Sequence, residues 1–378
     1  MCWLTSRKIS KLMSPAIEIS TGNDDSSENL YQKGVKTMYE NGIEHVPSKY
    51  VLPPSERPNV SSPEAELPDL HLPVIDFAHL QGPNRRQALH SLAHACEHFG
   101  FFQLVNHGIA EEVTEKMVNV GKRFFEMPLS EREKYMTADM NAPVRYGTSF
   151  NQNRDGVFCW RDFLKLICHP LPQLLPHWPS SPIDLRESAA NYAEETRALY
   201  MVIVEAIVES LGLNKREETI MKEMEDGSQL MVVNCYPPCP QPDLTVGMPP
   251  HSDYGFLTLL LQDDVEGLQI LHKHRWLTVR PIPGSFVVNV GDHLEIFSNG
   301  RYKSVLHRVL VNSTNCRISV ASLLSFPFTS TVRPAVALIT PTNPRRYKDT
   351  DFATFLDYIK SSDSKNKNFL HTRSIVLS

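Results

Sequence analysis

The chain has 378 residues and a formal net charge of −5, with 41% hydrophobic and 21% charged residues. This composition is that of an ordinary globular protein and excludes wholesale disorder; the length suits one large enzyme core or two modest domains. The acidic balance, without a dense block of Lys and Arg, argues against nucleic acid or a membrane surface as a partner. No run of about 18 apolar residues predicts a membrane span.

Cysteine usage indicates the compartment. The seven cysteines have no regular spacing, which is unfavourable to a zinc finger and to a secreted disulfide framework. Reduced thiols fit better, and we therefore expect a cytoplasmic protein, with the nucleus left open. Residues 1–16 are basic and lack acids, but they contain no apolar core of signal-peptide length, and an organelle transit peptide is disfavoured.

The first half of the chain predicts helices behind a proline-rich arm. Residues 1–46 are expected to form a poorly ordered leader with one short amphipathic piece at 30–41. Residues 47–83 hold eight prolines and predict an extended arm, because proline fixes φ and cannot continue a helix. Apolar residues at helical spacing predict helices at 86–99, 111–125, 188–211 and 217–225. Short apolar runs predict strands at 73–76 and 101–105.

From residue 229 the pattern changes to short β-rich runs separated by Gly, Pro, Asn and Asp. The predicted strands are 230–236, 257–262, 268–271, 276–280, 285–290, 302–311 and 317–324. Several short strands at this spacing indicate a sandwich or barrel of the jelly-roll kind. A last helix is predicted at 351–361. The fold class is therefore mainly β with flanking helices, a jelly-roll core carrying a helical N-terminal region.

The strongest chemical signal is a pair of residues two apart, His251 and Asp253, with His307 on another predicted strand. Side chains two apart on a strand share a face, so both can point into the mouth of a barrel. Two histidines and one carboxylate on one face form the arrangement of non-haem Fe(II) oxygenases. Taken alone the pattern is common, and the same ligands could hold zinc with a water, as in a hydrolytic site.

A second pair at the same spacing follows on a predicted strand, Arg317 and Ser319. Arginine presents a planar fork suited to a carboxylate, and serine adds a hydroxyl donor. A buried arginine without an anionic partner would be costly, so an anionic cosubstrate is a natural partner for this pair. By contrast, His90, His94 and His98 line a helix face opposite its apolar stripe, which favours a solvated surface over a metal site.

Further blocks occur in a fixed order along the chain. They are Gly100-Phe-Phe-Gln-Leu-Val-Asn-His-Gly108, Trp160-Arg-Asp162, Asn234-Cys-Tyr-Pro-Pro-Cys-Pro240, Gly267-Leu-Gln269, Asn289-Val-Gly-Asp292, Ser298-Asn-Gly300 and the run from Tyr302 to Arg308. Together with the two pairs, they resemble the plant-type 2-oxoglutarate- and Fe(II)-dependent dioxygenases over about residues 47–330. The similarity is greatest to the branch that contains flavonol synthases, anthocyanidin synthases and downy-mildew-resistance oxygenases.

The resemblance implies a distorted double-stranded β-helix with a set of assigned roles. His251, Asp253 and His307 would bind iron, and Arg317 and Ser319 would bind the distal carboxylate of 2-oxoglutarate. The family's N-x-Y block adds two cosubstrate contacts, which map to Asn234 and Tyr236. Fe(II), 2-oxoglutarate and O₂ are the implied cofactors, and ascorbate is expected to support activity. The products would be succinate, CO₂ and a hydroxylated or desaturated small molecule.

The domain organisation follows from the same comparison. It divides the chain into a leader at 1–46, an arm and helical region at 47–225, the jelly-roll catalytic domain at 226–330, and a C-terminal helix with a tail at 331–378. We expect a monomer that binds a small molecule.

Substrate residues are the least determined part. Flavonoid oxidases of this family carry a Phe four residues after the Ser of the R-x-S pair; here that position is Leu323, which weakens a flavonoid assignment. Phe256 and Phe326 are expected to supply an aromatic wall, with Phe150 and Tyr254 as further contacts. Phenolics, flavonoids and plant hormones stay open as substrates.

Two alternatives to this reaction remain. One is an oxidase of the same fold that uses no 2-oxoglutarate, as aminocyclopropane-carboxylate oxidases do; these also keep an R-x-S pair. The other is a non-catalytic receptor for a small molecule, or a zinc-binding protein, on this scaffold.

Overall fold

The structure is a computed structural model, and it describes residues 33–58, 71–149, 155–213, 218–361 and 369–375. These residues form two β-sheets that face each other across a cavity, with helices on the outside. The strands are β1 (Val74–Asp76), β2 (Phe101–Val105), β3 (Val144–Thr148), β4 (Asp162–Ile167), β5 (Ser228–Tyr236), β6 (Met248–His251), β7 (Leu257–Gln262), β8 (Leu268–His272), β9 (Arg275–Thr278), β10 (Phe286–Val290), β11 (His307–Val309) and β12 (Arg317–Ser325).

Helices cover the outer side of the larger sheet and both ends of the core. They are α1 (Val35–Glu40), α2 (Phe77–Gln81), α3 (Arg85–His98), α4 (Glu111–Glu126), α5 (Leu129–Arg132), α6 (Leu171–Leu174), α7 (Leu185–Ser210), α8 (Glu218–Glu225), α9 (Asp292–Phe297), α10 (Phe352–Ser361) and α11 (Phe369–Arg373). The long helix α7 packs against α3 and α4 and against strands β7 and β12. No helix in the part of the chain that the structure describes has the length and apolar character needed to cross a membrane.

Strand order confirms the jelly-roll prediction. The larger sheet runs β1-β2-β10-β7-β12-β5-β4-β3, and the smaller one runs β6-β11-β8-β9. All pairs are antiparallel except β1 with β2. In the larger sheet the side chains alternate between a face covered by helices and a face that lines the cavity, as the two-residue period of a strand requires. The cavity face holds the site described below.

The N-terminal region contributes more sheet than the sequence pattern indicated. Strands β1 to β4 all precede residue 226, yet they join the same sheet as β5, β7, β10 and β12. Strands β3 and β4 were absent from the predicted elements. The proposed division of the chain at 225 and 226 therefore marks a change in content, from mixed to mainly β, and the sheet itself continues across it.

The described part of the leader, residues 33–46, contains a packed helix, α1, at the place where the sequence predicted one short amphipathic piece. Val35 and Met38 of α1 are fully buried, while residues 1–32 lie outside the described residues. The carboxylate of Asp162 accepts hydrogen bonds from the backbone N–H groups of Val35 (2.8 Å) and Lys36 (3.0 Å), so it holds the start of α1. A Cβ at Gly34, whose φ is +94°, would lie 2.7 Å from this carboxylate.

In the second half of the chain, one predicted strand is shorter than expected and one strand was not predicted. The run 302–311 forms a strand only at His307–Val309, because the backbone N–H of Lys303 bonds to the carbonyl of Cys96 and that of Ser304 to the carboxylate of Glu295. Strand β6 was missed because its sequence contains two prolines, which cannot donate to a ladder. The structure places β6 at the edge of the smaller sheet, where proline is tolerated.

Candidate metal and cosubstrate site

Three side chains converge where the smaller sheet faces the larger one. His251 ends β6 and His307 begins β11, and the two residues pair directly across these antiparallel strands. Asp253 follows two residues after His251, in the loop that leads to β7. One carboxylate oxygen, Oδ1, lies 3.8 Å from Nε2 of His251 and 3.7 Å from Nε2 of His307. Among the described residues, this is the only cluster of three whose ligand atoms fall within 4.8 Å of one another.

Backbone carbonyls orient both imidazoles. Nδ1 of His251 lies 2.8 Å from the carbonyl oxygen of Pro249, and Nδ1 of His307 lies 3.3 Å from that of Val305. A carbonyl can only accept, so each Nδ1–H donates to its carbonyl, and each Nε2 faces the centre, where a metal would bind it in the deprotonated form. Hydrogen bonding of the second ring nitrogen in this way is the usual support of a metal-binding histidine.

The carboxylate of Asp253 is held by its second oxygen. Oδ2 accepts hydrogen bonds from the hydroxyl of Thr258 (2.6 Å) and the side-chain amide of Asn289 (2.8 Å). Burial by itself would raise the pKa of Asp253, but the two histidines and these two hydrogen bonds outweigh it and lower the pKa below its usual value. The group is therefore an ionised ligand with Oδ1 facing the imidazoles. Two imidazole nitrogens, one carboxylate oxygen and supporting hydrogen bonds fit a non-haem Fe(II) ion.

Arg317 provides a buried cation a short way along the larger sheet. It begins β12 with 2% of its surface exposed. Its Nε donates to the carbonyl of Val265 (3.1 Å) and its Nη2 to the side-chain oxygen of Gln262 (2.8 Å), whereas Nη1 is buried without a protein partner. A buried guanidinium nitrogen without an acceptor is costly. Nη1 can therefore donate to the terminal carboxylate of a cosubstrate such as 2-oxoglutarate.

The other predicted cosubstrate residues surround Arg317 on the same face of the sheet. Tyr236 pairs with Arg317 across β5 and β12, and its ring centroid lies 5.3 Å from the guanidinium carbon. Asn234 pairs with Ser319, and its amide nitrogen lies 3.5 Å from the serine hydroxyl. All four residues line the same cavity as the metal cluster. The structure thus brings together every residue that the sequence predicted for metal and cosubstrate.

The whole cavity, including the metal and cosubstrate residues, has a volume of about 280 Å³, and only part of the predicted substrate lining is found there. Tyr254 and Leu323 line it, while Phe150 lies outside the described residues. Phe256 and Phe326 do not line it and instead pack against each other in the hydrophobic core, with ring centroids 5.6 Å apart. The prediction failed for Phe326 because β12 turns its odd-numbered residues to the cavity and its even-numbered residues to the helices.

A wall of basic residues was missed by the sequence reasoning. We use the term basic wall for Arg145 on β3, Lys165 on β4 and Arg161 immediately before β4, which line the cavity together with Phe163. Arg145 pairs with Lys165 across the two strands, and the guanidinium carbons of Arg145 and Arg161 lie 5.2 Å and 5.0 Å from the centroid of the Phe163 ring. The alternation of residues 161, 163 and 165 on one strand was the available signal.

Lys165 and Arg161 differ in what surrounds their charged groups. Burial is the main reason that the pKa of Lys165 is lowered to about 8. The charge of Arg145 lowers this pKa further, whereas the charge of Asp139 raises it. Arg161 is tied to the cosubstrate end, since its Nη1 donates to Asn234 (3.1 Å) and its Nη2 to the carbonyl of Ser149 (2.8 Å). Among the described residues that line the cavity, Asp253 is the only acid.

The C-terminal helix α10 closes another side of the cavity, which the sequence also gave no reason to expect. Phe352, Phe355 and Leu356 line the cavity from this helix. The ring of Phe355 stacks on that of Tyr254, with centroids 4.0 Å apart, so the helix rests directly beside the metal cluster. The helical histidines His90, His94 and His98 are exposed, as predicted, and lie on the outer surface of α3.

A jelly-roll core that carries two histidines, a carboxylate and a buried arginine defines a non-haem Fe(II) oxygenase. The 2OG-Fe(II) oxygenase superfamily matches residues 227–325, and the N-terminal region described as "non-haem dioxygenase in morphine synthesis N-terminal" matches residues 72–182. Protein DMR6-LIKE OXYGENASE 2 of Arabidopsis thaliana is 43% identical over 317 residues, which are 83% of this chain and 90% of the relative. The chain belongs to the 2OG-Fe(II) oxygenase superfamily.

Two further comparisons support the same family. Flavanone 3-dioxygenase 2 of Oryza sativa subsp. japonica is 42% identical over 328 residues, covering 86% of this chain and 92% of the relative. The crystal structure of JOX2 in complex with 2OG, Fe, and JA superposes with a TM-score of 0.80 at 31% identity, covering 90% of this chain and 97% of that one. The chain is a 2-oxoglutarate- and Fe(II)-dependent dioxygenase, with O₂ as cosubstrate, that oxidises a small molecule.

Proposed function

We propose that His251, Asp253 and His307 hold the catalytic iron and that the substrate is a small apolar or aromatic acid, such as an acidic phenolic or hormone. The convergence of the three ligand atoms within 4.8 Å carries the metal assignment. The basic wall carries the substrate assignment, because the cavity offers three cations beyond Arg317 and its described lining contains no acid other than Asp253.

Each polar residue of the site has a distinct task in this proposal. Arg317 and Ser319 bind the distal carboxylate of 2-oxoglutarate, with Tyr236 packed against the guanidinium. Asn234 bridges the cosubstrate end to the basic wall through its hydrogen bond from Arg161. Bound iron supplies the activation of O₂, driven by the decarboxylation of 2-oxoglutarate to succinate and CO₂. The protein contributes the orientation of both organic molecules and the exclusion of water.

The outer half of the cavity positions the substrate. Arg145 and Lys165 would attract its anionic group, while Phe163 and the aromatic residues of α10 would pack against its apolar part. Closure by α10 removes water from the space above the metal cluster, which strengthens the charge interactions with the basic wall. The substrate's reactive carbon would then face His251, Asp253 and His307, and its acidic end would face the strands β3 and β4.

The named relatives do not decide among substrates, since one is a flavanone dioxygenase and a structural neighbour was solved with JA. Leu323 lines the cavity at the position where flavonoid oxidases of the family carry a stacking Phe. Together with the basic wall, this favours an acidic substrate over an uncharged flavonoid. Among the described residues, no contact favours the receptor alternative or an oxidase that works without 2-oxoglutarate.

The proposal is tested by turnover with paired compounds. The full chain is incubated with Fe(II), 2-oxoglutarate and ascorbate, which we expect to support activity, and with plant phenolic and hormone acids, each beside its methyl ester. We expect oxidation of an acid, detected by mass spectrometry, with stoichiometric succinate and with no comparable turnover of its ester. Product without succinate would contradict the use of 2-oxoglutarate, and equal turnover of acids and esters would contradict the role of the basic wall.

The remaining expectations concern the setting of the enzyme. We propose that it acts as a cytoplasmic monomer and that it does not bind nucleic acid. The net charge of −5 supports the latter, and the cysteines without regular spacing support a reducing compartment. Size-exclusion chromatography with light scattering and the location of a fluorescent fusion test the first two points.

A further inference from the structure

A pair of cysteines lies on the back of the strands that carry the cosubstrate residues. Cys235 occupies β5 between Asn234 and Tyr236, and Cys316 immediately precedes Arg317 at the start of β12. The two Sγ atoms are 3.7 Å apart. Because side chains alternate along a strand, Cys235 points away from the cavity, toward α1, while its two neighbours point into it.

The surroundings of the pair make Cys316 the more reactive thiol. Its residue is exposed, whereas Cys235 is buried. The pKa of Cys316 is lowered, mainly by its hydrogen bond from Cys235 and also by the charges of Lys36 and Lys122. Burial and the charge of Asp263 act in the opposite direction but do not outweigh these contributions. A thiolate is the nucleophilic form of cysteine, so an exposed thiol beside two lysines and a hydrogen-bond donor meets the usual description of a redox-sensitive residue.

The remaining cysteines of the described chain lack this combination. Cys96, Cys159, Cys168 and Cys239 are buried. Burial also raises the pKa of Cys96 and of Cys168, which keeps both protonated. The close approach of two sulfurs, one of them reachable from solvent, is therefore specific to β5 and β12 among the described residues.

We propose that Cys235 and Cys316 form an oxidation site at which a hydroperoxide converts the two thiols into a disulfide that weakens 2-oxoglutarate binding. In the first step the Cys316 thiolate attacks the peroxide, an S–O bond forms, the O–O bond breaks, and the sulfenic acid and water (or an alcohol) result after protonation. In the second step the Cys235 sulfur displaces the hydroxyl group from Cys316, an S–S bond forms, and the thiol proton leaves with it as water. Sulfur loses two electrons overall, and the peroxide gains them.

The coupling to the cosubstrate follows from the register of the two strands. A disulfide holds its sulfurs about 2.05 Å apart, so they must approach from 3.7 Å. Cys316 lies just before β12, whereas Cys235 lies within β5 and is paired with Ile318 on one side and Asp162 on the other, so we expect Cys316 to make the larger movement. The peptide that joins Cys316 to Arg317 must shift with it, and Arg317 lies directly opposite Tyr236. This consequence rests on the proposed role of Arg317, whereas the chemistry of the pair does not.

The experiment uses the full chain with Mn(II) in place of Fe(II), because peroxide and Fe(II) together generate radicals. Reduced protein is treated with hydrogen peroxide, quenched, and examined by intact mass and by peptide mapping without reduction. Binding of 2-oxoglutarate is measured by calorimetry before oxidation, after it, and after dithiothreitol. We expect a loss of about 2 Da, a cross-linked peptide containing Cys235 and Cys316, and affinity about tenfold weaker that dithiothreitol restores, because small displacements of a binding group are costly.

Variants separate the possible outcomes. Cys316→Ser and Cys235→Ala should each bind 2-oxoglutarate like the reduced protein and lose the response to peroxide, whereas Cys2→Ser, whose position is outside the described residues, should keep it. A cross-link through Cys2, sulfinic acid without any cross-link, or a cross-link that leaves affinity unchanged would each overturn the proposal. Failure of the reduced protein to bind 2-oxoglutarate would instead contradict the proposed function.

Discussion

The inner and outer halves of the cavity are built in different ways. The inner half consists of His251, Asp253, His307 and Arg317, whose polar atoms are held by backbone carbonyls and buried side chains. The outer half combines the basic wall with aromatic residues of α10, which lie far apart in the sequence. The geometry of the inner half is therefore fixed by the strand pairs β6–β11 and β5–β12 and by buried hydrogen bonds, whereas the outer half depends on how α10 packs over the cavity.

This difference separates the reaction from its selectivity. Changes in the inner half should abolish turnover or cosubstrate binding for every substrate. Changes in the outer half should alter which molecules bind while the use of 2-oxoglutarate is preserved. The following predictions test this separation, from the largest expected effect to the smallest.

Replacing a metal ligand should have the largest effect. His251→Ala or Asp253→Ala removes one of three ligands, and we expect turnover to fall by about three orders of magnitude or more without unfolding. Substrate-dependent succinate formation and thermal unfolding by circular dichroism measure the two parts. The control is His90→Ala, since this histidine lies on the exposed face of α3. Full activity in either ligand variant would contradict the metal assignment.

Arg317→Lys should selectively weaken the binding of 2-oxoglutarate. Lysine keeps the charge but lacks the planar fork, so we expect the KM for 2-oxoglutarate to rise by about tenfold to a hundredfold with a smaller change in kcat. Steady-state kinetics at saturating substrate give both values. Arg301→Lys is the matched control, because Arg301 pairs with Glu97 at the surface. An unchanged KM would exclude Arg317 as the carboxylate anchor.

Removing a charge from the basic wall should distinguish acids from their esters. For Lys165→Met or Arg145→Met we expect the KM for an acidic substrate to rise about tenfold, equivalent to about 1.4 kcal/mol, with little change for the ester. The KM for 2-oxoglutarate should stay the same, as should all constants of the surface variant Lys134→Met. A parallel loss for acid and ester would point to a packing role for these residues.

The pH dependence should identify Lys165 itself. Burial and Arg145 lower its pKa to about 8, so the side chain is charged below this pH and neutral above it. Attraction of an anionic substrate is therefore present below pH 8 and lost as the pH rises through it. We expect the substrate KM to increase above about pH 8 in the wild type and to stay level in Lys165→Arg, which remains charged throughout. Identical profiles would assign the transition to another group.

The smallest effect is expected at the C-terminal side of the cavity. Phe355→Ala removes a ring that stacks on Tyr254 at 4.0 Å and lines the cavity. We expect the substrate KM to rise by about threefold, in keeping with the loss of one aromatic contact, while the KM for 2-oxoglutarate is unchanged. Kinetics with both molecules varied in turn provide the measurement. A larger effect on 2-oxoglutarate than on substrate would contradict the division of the cavity into two halves.

The sequence allowed the inner half to be predicted because its chemistry is tied to local spacing. His251 with Asp253, and Arg317 with Ser319, are two apart on or beside strands, and this period places them on a common face. His307 was placed with them because it lies on another predicted strand, and the resemblance to a family then supplied Asn234 and Tyr236. The bounds of most helices and strands followed from the same periodicities, within a few residues.

The outer half could not be predicted in the same way. Phe256 and Phe326 were expected in the cavity because they are aromatic and near the site, but they lie just outside β7 and β12 and pack against each other in the core. The alternation of residues 161, 163 and 165 was a signal for the basic wall, but the place of β4 in the sheet and of α10 over the cavity depends on contacts between segments far apart in the sequence, which composition and spacing do not encode. Strand β6 was not predicted because it contains two prolines, which an edge strand tolerates.

The carboxylate of Asp162 bears on where the chain can be shortened. It lies on the strand of the basic wall, but on the opposite face, and it is satisfied by the N–H groups of Val35 and Lys36. Trimming the N-terminus beyond Gly34 would therefore remove the hydrogen-bond donors of buried Asp162, more than a hundred residues away, and destabilise β4. Shortened versions for crystallisation, and proteolytic fragments, should be judged by whether this helix start is retained.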